Sequence, residues 1–343
     1  MSRVDVIVPC YKYAHFLREC VESVLSQSLT DVRVLIIDDA SPDHTPEVAA
    51  ELTARDKRVE YRRHSVNHGH IATYNEGLDW AAGDYTLLLS ADDLLTPGAL
   101  LRAVRLMDAH PEVGFVYGRA IVFNTGESLP QPGTVSGECE WQIWDGFDWL
   151  EAMCESCDNS IYSPEAIVRT RLQRELGGFR EELPHTGDWE MWMRFATHAA
   201  VGTLDADQAF YRVHGHNRSL KYQGVHAAEQ YKAVFDTFLY HYGHRIAGHE
   251  RLQKLAAIAS AYHALNMAYW AFREGDVQGC HELIGSTIRT CPDARSLKLY
   301  RRLIWMLRMG PTAWFVLRRL AFWRGAVVWP TRSRTKFCRG CPI

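Results

Sequence analysis

Three groups of carboxylates stand where the chain passes from apolar to polar. Asp38 and Asp39 follow "VLII", Asp92 and Asp93 follow "LLLSA", and Asp188 comes just ahead of "WEMWM". Taken singly, each reads as a turn former or helix N-cap, because an aspartate side chain accepts hydrogen bonds from nearby backbone amides. Two doubled pairs behind two apolar runs are harder to account for in that way. Adjacent like charges need a counter-charge, and a divalent cation bridging phosphate oxygens is a common supplier.

Such groups need a scaffold, and the first hundred residues supply one. "VDVIVPCY" is a β-branched run stopped by Pro9, and "FLRECVESVLSQ" sets Phe16, Leu17, Cys20, Val21, Val24 and Leu25 on one helical face. "VRVLIIDDAS" repeats the strand, and "TPEVAAELTAR" reads as a helix opened near Pro46. "VEYRRH", "IATYNEGLDWAA", "DYTLLLS" and "PGALLRAVRLMDAH" continue the alternation of strand and helix. Strands apolar on both faces predict a mostly parallel sheet covered by helices on both sides. Ligands of such sheets bind at strand C-termini, where the carboxylate pairs fall.

Beyond Pro111 the rhythm changes. "VGFVYGRAIVFN" reads as one or two strands, and residues 125–145 form a loop rich in Gly, Pro and Trp. A helix is expected near "DWLEAMCE", and "SIYSPEAIVRTRLQRELGGF" reads as another, ended by Gly177 and Gly178. "DWEMWMRFATHA" is an amphipathic helix, and "VGTLDADQAFYRVH" a strand and loop. From about 225 to 293 the pattern is helical, with one helix pair turned at Gly275-Asp276. A single such pair is too few for a solenoid. The expected organisation is a catalytic domain over 1–220, a helical extension over 221–294 and a basic, aromatic-rich tail over 295–343.

Some phosphate binders are excluded. No Gly-x-Gly-x-x-Gly follows the first strand and no Gly-Lys-Ser/Thr loop is present, so neither a Rossmann dinucleotide site nor a P-loop is on offer. A diphosphate would have to be held mainly through metal.

Several ordered blocks resemble glycosyltransferase family 2, inverting enzymes of the A-type (GT-A) nucleotide-sugar fold. They run from "VIVPCYKYAHFLRECVESVLSQSL" through "VLIIDDASPDHT", "NHGHIATYNEGLDWAAGDYTLLLSADDLLTPGAL" and "GGFREELPHTGDWEMWMRF" to "YRVHGHNRS", roughly residues 3–219. The resemblance implies a nucleotide site at Pro9, Tyr11, Asp39 and Asp92, with Tyr11 packing on the base and Asp39 accepting the uracil N3–H. It implies a Mg²⁺ or Mn²⁺ site in which Asp92 is the last acid of an Asp-x-Asp motif, Asp93 a support or second ligand, and His214 a completing group near the diphosphate. Asp188 matches the general base. The chain departs from the family at Ser90, where the first Asp of the motif usually stands, and at Tyr74, where an Arg often precedes Asn75. His64, His68 and His70 gather around Asn67 and Gly69; they could suggest zinc, but read better as lining a loop beside the nucleotide or as exposed.

The implied activity is transfer of a sugar from a nucleotide diphosphate donor, UDP-linked by the Asp39 match, to a hydroxyl of a saccharide or lipid-linked glycan during polysaccharide or glycoconjugate assembly. Two rivals stay open: a sugar-phosphate nucleotidyltransferase, which would want a Gly-rich basic loop where "PCYKYAHF" stands, and a nucleotide-sugar-binding scaffold with a degraded site, suggested by Ser90.

Composition bounds the setting. The 343 residues, 47% of them apolar, suffice for a real core. Nine cysteines without an apolar N-terminal signal segment fit a reducing, cytoplasmic compartment. Two Cys-x-x-Cys pairs, Cys154/Cys157 and Cys338/Cys341, lie far apart and read as ordinary thiols rather than one zinc site. Net charge is −3, but from Arg295 onward there are 12 basic and no acidic residues. Removing those 12 from 38 leaves 26 basic against 41 acidic residues, or −15, for the rest. The tail interleaves Trp305, Trp314, Phe315, Phe322 and Trp323 with Arg301, Arg302, Arg308, Arg318, Arg319 and Arg324, a composition for lying on an anionic membrane surface rather than crossing it. The acidic remainder argues against nucleic acid as the partner.

Overall fold

The computed structural model describes residues 2–133, 137–156, 159, 161–222, 224–246, 248–310 and 313–314. The chain divides into two compact units, one of residues 1–150 and 161–217, the other of 151–160 and 218 onward.

The first unit opens with the expected alternation: β1 (Val4–Cys10), α1 (Ala14–Leu25), β2 (Val32–Asp38), α2 (Thr45–Arg55), β3 (Val59–Arg63), α3 (His70–Trp80) and β4 (Tyr85–Leu88). It continues through β5 (Leu94–Leu95), α4 (Ala99–Ala109), β6 (Val113–Asn124), β7 (Trp141–Trp144), α5 (Gly146–Ser156, counted with the second unit from Glu151), β8 (Ile167–Arg169), α6 (Thr170–Leu176), α7 (Gly187–Ala196) and β9 (Ala200–Val213). The strands form one sheet in the order β3-β2-β1-β4-β8-β6-β9-β5, with β7 paired to β9.

Pleating explains the layers, since successive side chains of a strand face opposite sides. Val4, Val6 and Val8 of β1 face a core completed by Leu17, Val21 and Val24 of α1 and by Leu100, Ala103 and Leu106 of α4. Ile7 faces the other side, packed with Leu35, Ile37 and Leu78. Gly77 lets α3 settle there, because a Cβ at that position would come within 2.2 Å of Ile7 Cγ2.

The sheet is parallel from β3 to β4 and mixed beyond it. β8 runs antiparallel to both β4 and β6, while β6 and β9 are parallel. β8 lies inside the segment whose pattern predicts a helix. The β-branched pair Ile167-Val168 fills the slot between β4 and β6, and the helix, α6, begins only at Thr170. Tertiary pairing overrides local periodicity in so short a run.

The second unit contains α8 (Gly224–Tyr242), α9 (His249–Arg273), α10 (Val277–Thr290) and α11 (Lys298–Met309). The turn between α9 and α10 falls at Gly275, at φ 89°, and the Asp276 carboxylate caps α10 by accepting the Gly279 amide at 2.8 Å. Leu265, Phe272, Leu283, Leu303, Met306 and Trp314 share one core. The described start of the tail expected from residue 295 is a helix that packs Leu303 and Met306 into this core. Among the described residues no helix is long and apolar enough to cross a membrane. Cys157, Cys338, Cys341, Phe315, Arg318, Arg319, Phe322, Trp323 and Arg324 lie outside the described residues; Cys154 is buried, and burial pushes its thiol up to about 12.

Candidate functional site

Because β2, β1 and β4 are parallel neighbours, their C-terminal ends lie side by side. Pro9 is the penultimate residue of β1, opposite Ile37, and Tyr11 follows the strand with 40% of its surface exposed. The Asp39 amide donates to the Cys10 carbonyl at 3.0 Å, which brings the loop after β2 against the residue preceding Tyr11. The Lys12 amide donates to Ser41 Oγ at 3.1 Å. Lys12 (φ 66°) and Ala40 (φ 58°) both adopt left-handed backbone, uncommon for residues with a Cβ and typical of sites held by their surroundings.

The two carboxylates of the first pair do different things. Asp38 is fully buried and closes the loop, accepting the Ser41 amide at 2.7 Å and the Tyr61 hydroxyl at 2.9 Å. Asp39 accepts the His68 amide at 2.7 Å, the Gly69 amide at 2.9 Å and a hydrogen bond from His64 Nδ1 at 2.8 Å. Burial raises the Asp39 carboxyl, but His64 and the two amides together outweigh it and hold the group below the usual carboxylate range. The three histidines diverge: His64 sits between Asp39 and Glu76, His68 stacks on it at 4.4 Å, and His70 Nε2 reaches the Pro184 carbonyl at 3.1 Å.

The second pair is divided more sharply. β5 pairs antiparallel with β9, Leu94 opposite Phe210, so the same register carried back two residues sets Asp92 against Arg212. Asp92 Oδ2 lies 3.0 Å from His214 Nε2, just past the end of β9. The Asp93 carboxylate turns inward and accepts the Arg212 amide at 2.9 Å. Burial first and Asp92 second push the Asp93 carboxyl well above the ordinary range. Of the two roles expected for Asp93, support is the one this placement favours.

Arg212 escaped the sequence reading although it lies inside "YRVHGHN". Its Nε donates to the Asp92 carbonyl at 2.8 Å and its Nη2 to Glu19 Oε2 at 2.6 Å. The guanidinium lies 4.5 Å from the Phe16 ring centroid and 4.6 Å from that of Phe123. Asn217 ties the following turn, donating to the Arg212 carbonyl at 3.0 Å and accepting the His214 amide at 2.5 Å. The signal was a basic residue two positions before His214, but its aromatic and acidic partners come from α1 and β6, and only folding assembles them.

Asp188 is the second residue of α7; Thr186, not Asp188, occupies the N-cap. Its carboxylate accepts the Trp189 amide at 2.7 Å and the Ser163 hydroxyl at 3.4 Å. Tyr74 packs on Phe179 with ring centroids 5.2 Å apart.

The donors suited to a cation are Asp92 and His214. Among the described residues no cluster of three or more His, Cys, Asp or Glu is placed to hold a metal. One carboxylate and one imidazole fit an ion that takes its remaining oxygens from a diphosphate and water, the usual arrangement for Mg²⁺ beside phosphates. The His216 amide donates to His214 Nδ1 at 3.2 Å, so a neutral ring carries its proton on Nε2, toward Asp92. Nε2 could join a cation only after that proton left and the His216 amide turned away from Nδ1.

Comparison with known proteins bears on this arrangement. Residues 5–167 match the family described as Glycosyl transferase family 2. This region is a family 2 glycosyltransferase domain. The chain is 25% identical over 232 residues to the hyaluronan synthase of Pasteurella multocida, covering 67% of this chain and 22% of that protein. It is 25% identical over 219 residues to a chondroitin synthase of the same species, covering 64% of this chain and 21% of that protein. The chain thus spans about a fifth of the length of these curated relatives. In fold it is similar to residues 1–349 of S. aureus TarS, solved with UDP-GlcNAc, with a TM-score of 0.62 at 19% identity over 99% of this chain and 98% of that one. The mannosyltransferase PcManGT of Pyrobaculum calidifontis, solved with GDP-Man and Mn²⁺, aligns with a TM-score of 0.52 at 17% identity, covering 85% and 87% of the two chains. These likenesses carry the fold: the GT-A-type α/β architecture expected for a family 2 member, followed by a helical region.

Proposed function

We propose that this family 2 protein transfers a sugar, with inversion, from a nucleotide diphosphate donor to a hydroxyl of a saccharide or lipid-linked glycan. The observation that carries the reading is the convergence at adjoining strand ends of Tyr11 and Asp39 with the Asp92–His214 pair. Tyr11 offers an exposed ring for the base and Asp39 an acceptor for a pyrimidine N3–H, which uracil has and cytosine lacks. Pro9 and Asp92 border the same nucleotide.

A Mg²⁺ or Mn²⁺ held by Asp92, with His214 once its tautomer has changed, would neutralise charge on the departing diphosphate. Asp93 and Arg212 fix the Asp92 backbone from within. On the acceptor side, Asp188 takes the proton of the attacking hydroxyl, a contribution of roughly 10²- to 10⁴-fold. Its Oδ1 accepts the Trp189 amide and its Oδ2 the Ser163 hydroxyl, which fix the carboxylate at the start of α7. In-line displacement opposite the leaving group inverts the anomeric centre.

The catalytic domain in this reading is 1–220, followed by a helical extension over 221–294 and a tail that places the enzyme on the cytoplasmic face of a membrane. Support for the last comes from α11, where Lys298, Arg301, Trp305 and Arg308 recur at helical spacing on the exposed face opposite Leu303 and Met306. The function is tested by thermal shift of the full chain with UDP, CDP and GDP, with Mn²⁺ or chelator. UDP should stabilise most, more so with Mn²⁺, and Asp39→Ala should weaken UDP and blur the preference. Equal binding of UDP and CDP by the unaltered protein would refute the base reading, and metal-independent UDP binding the metal assignment.

A further inference from the structure

His64 lies between two carboxylates, with Nδ1 2.8 Å from Asp39 Oδ1 and Nε2 2.7 Å from Glu76 Oε2. Its side chain is only 8% exposed. A neutral imidazole has one N–H and can serve only one ionised carboxylate, whereas an imidazolium donates to both. The other charged and titratable groups around it do not replace this pairing. Arg62 Nη1 lies 3.7 Å from the other oxygen of Glu76, Arg63 Nε lies 3.6 Å from Asp38, and His68 stacks on the ring at 20°. The Asp38 carbonyl accepts the His64 amide at 2.9 Å and so fixes the backbone of the bridge. Burial opposes a charge on the ring, but the hydrogen bonds and charges of Asp39 and Glu76 prevail and raise its affinity for the proton.

The arrangement bears on how Asp39 is presented. A carboxylate offers about four lone-pair positions. His64 and the His68 amide occupy Oδ1 and the Gly69 amide occupies one position on Oδ2, which leaves a single acceptor position on Oδ2. We propose that His64 is a positioning residue of the nucleotide site: as an imidazolium bridging Asp39 to Glu76 it locks the Asp39 carboxylate with one lone pair turned to the base, and donor affinity falls as the bridge loses its proton with rising pH. The inference rests on Asp39 as the acceptor of the base N3–H.

The sign follows from the raised proton affinity. The bridge is complete below the ordinary histidine range, and fails as pH rises through the raised His64 titration. The test follows UDP affinity of the full chain by calorimetry from about pH 6 to about pH 9, below the titration of uracil N3, with the His64 ring signals read by NMR in the same samples. His64 should stay protonated above the ordinary histidine range, and UDP affinity should drop roughly tenfold as it titrates, the scale of one charge-assisted hydrogen bond. Glu76→Gln removes one anion without touching Asp39 and should move both midpoints to lower pH. His64→Gln should lower affinity and flatten its pH dependence. An ordinary His64 titration, or one unmoved by Glu76→Gln, overturns the bridge. A raised titration with UDP affinity flat across pH, together with Asp39→Ala binding UDP as the wild type does, overturns the proposal through its premise about Asp39, so the two failures are told apart.

Discussion

Asp93 is the position where two chemistries predict opposite outcomes. As a metal ligand it must be ionised and aimed at the cation, and Asp93→Asn would then abolish metal-dependent nucleotide binding as thoroughly as Asp92→Asn. The structure instead buries it to 2% exposure with its carboxylate on the Arg212 amide, and burial and Asp92 push its carboxyl well above the ordinary range. Asparagine keeps the acceptor and removes the disfavoured charge, so Asp93→Asn should lie within about 1 kcal/mol of wild type at neutral pH. Asp93→Ala leaves a buried amide unsatisfied and should cost about 1–3 kcal/mol. Linkage fixes the pH trend. With the folded carboxyl raised above its unfolded value, the native state binds more protons, so the stability this group contributes is present at acidic pH and lost as pH climbs through the raised value. Urea denaturation of wild type and Asp93→Asn across pH should therefore show the variant gaining on the wild type as pH rises, while Mn²⁺ still strengthens its UDP thermal shift. A variant that keeps its stability but loses the Mn²⁺ response would make Asp93 a ligand and refute the argument from burial.

Asp188→Asn should lower kcat by roughly 10²- to 10⁴-fold in a sugar-transfer assay while leaving the melting temperature in place, because asparagine still accepts from the Trp189 amide. Arg212→Met keeps much of the side-chain volume but removes the bond to the Asp92 carbonyl and the contacts with Phe16 and Phe123; with Glu19 half-exposed and discounted, a loss of about 2–4 kcal/mol is expected in urea denaturation, and a loss under about 1 kcal/mol would refute the clasp. For α11, Arg301→Gln with Arg308→Gln should weaken co-sedimentation with phosphatidylserine vesicles by about 2 kcal/mol, at about 1 kcal/mol for each charge, with UDP binding unchanged; vesicle binding indifferent to the two substitutions and to salt would remove the membrane reading.

The sequence by itself determined the scaffold of the first hundred residues, because apolar strands and amphipathic helices each follow from a local period that no distant contact has to supply. It likewise placed Asp39 and Asp92 at strand ends and the turn at Gly275-Asp276, where a glycine with positive φ and an aspartate cap act within a few residues. What local pattern left open, apart from the family resemblance, is the division of labour inside each carboxylate pair. Asp38 and Asp39 are equivalent as letters, as are Asp92 and Asp93, yet one member of each is spent on a loop or strand amide and the other meets a histidine side chain. That choice depends on the side to which each Cβ points and on which amide, from residues up to 119 positions away, lies opposite. For the same reason β8 hid inside a helical pattern, Arg212 drew no weight, and His64 was read only as lining a loop or exposed: their roles consist of partners brought from other elements, and only the tertiary structure decides which partners those are.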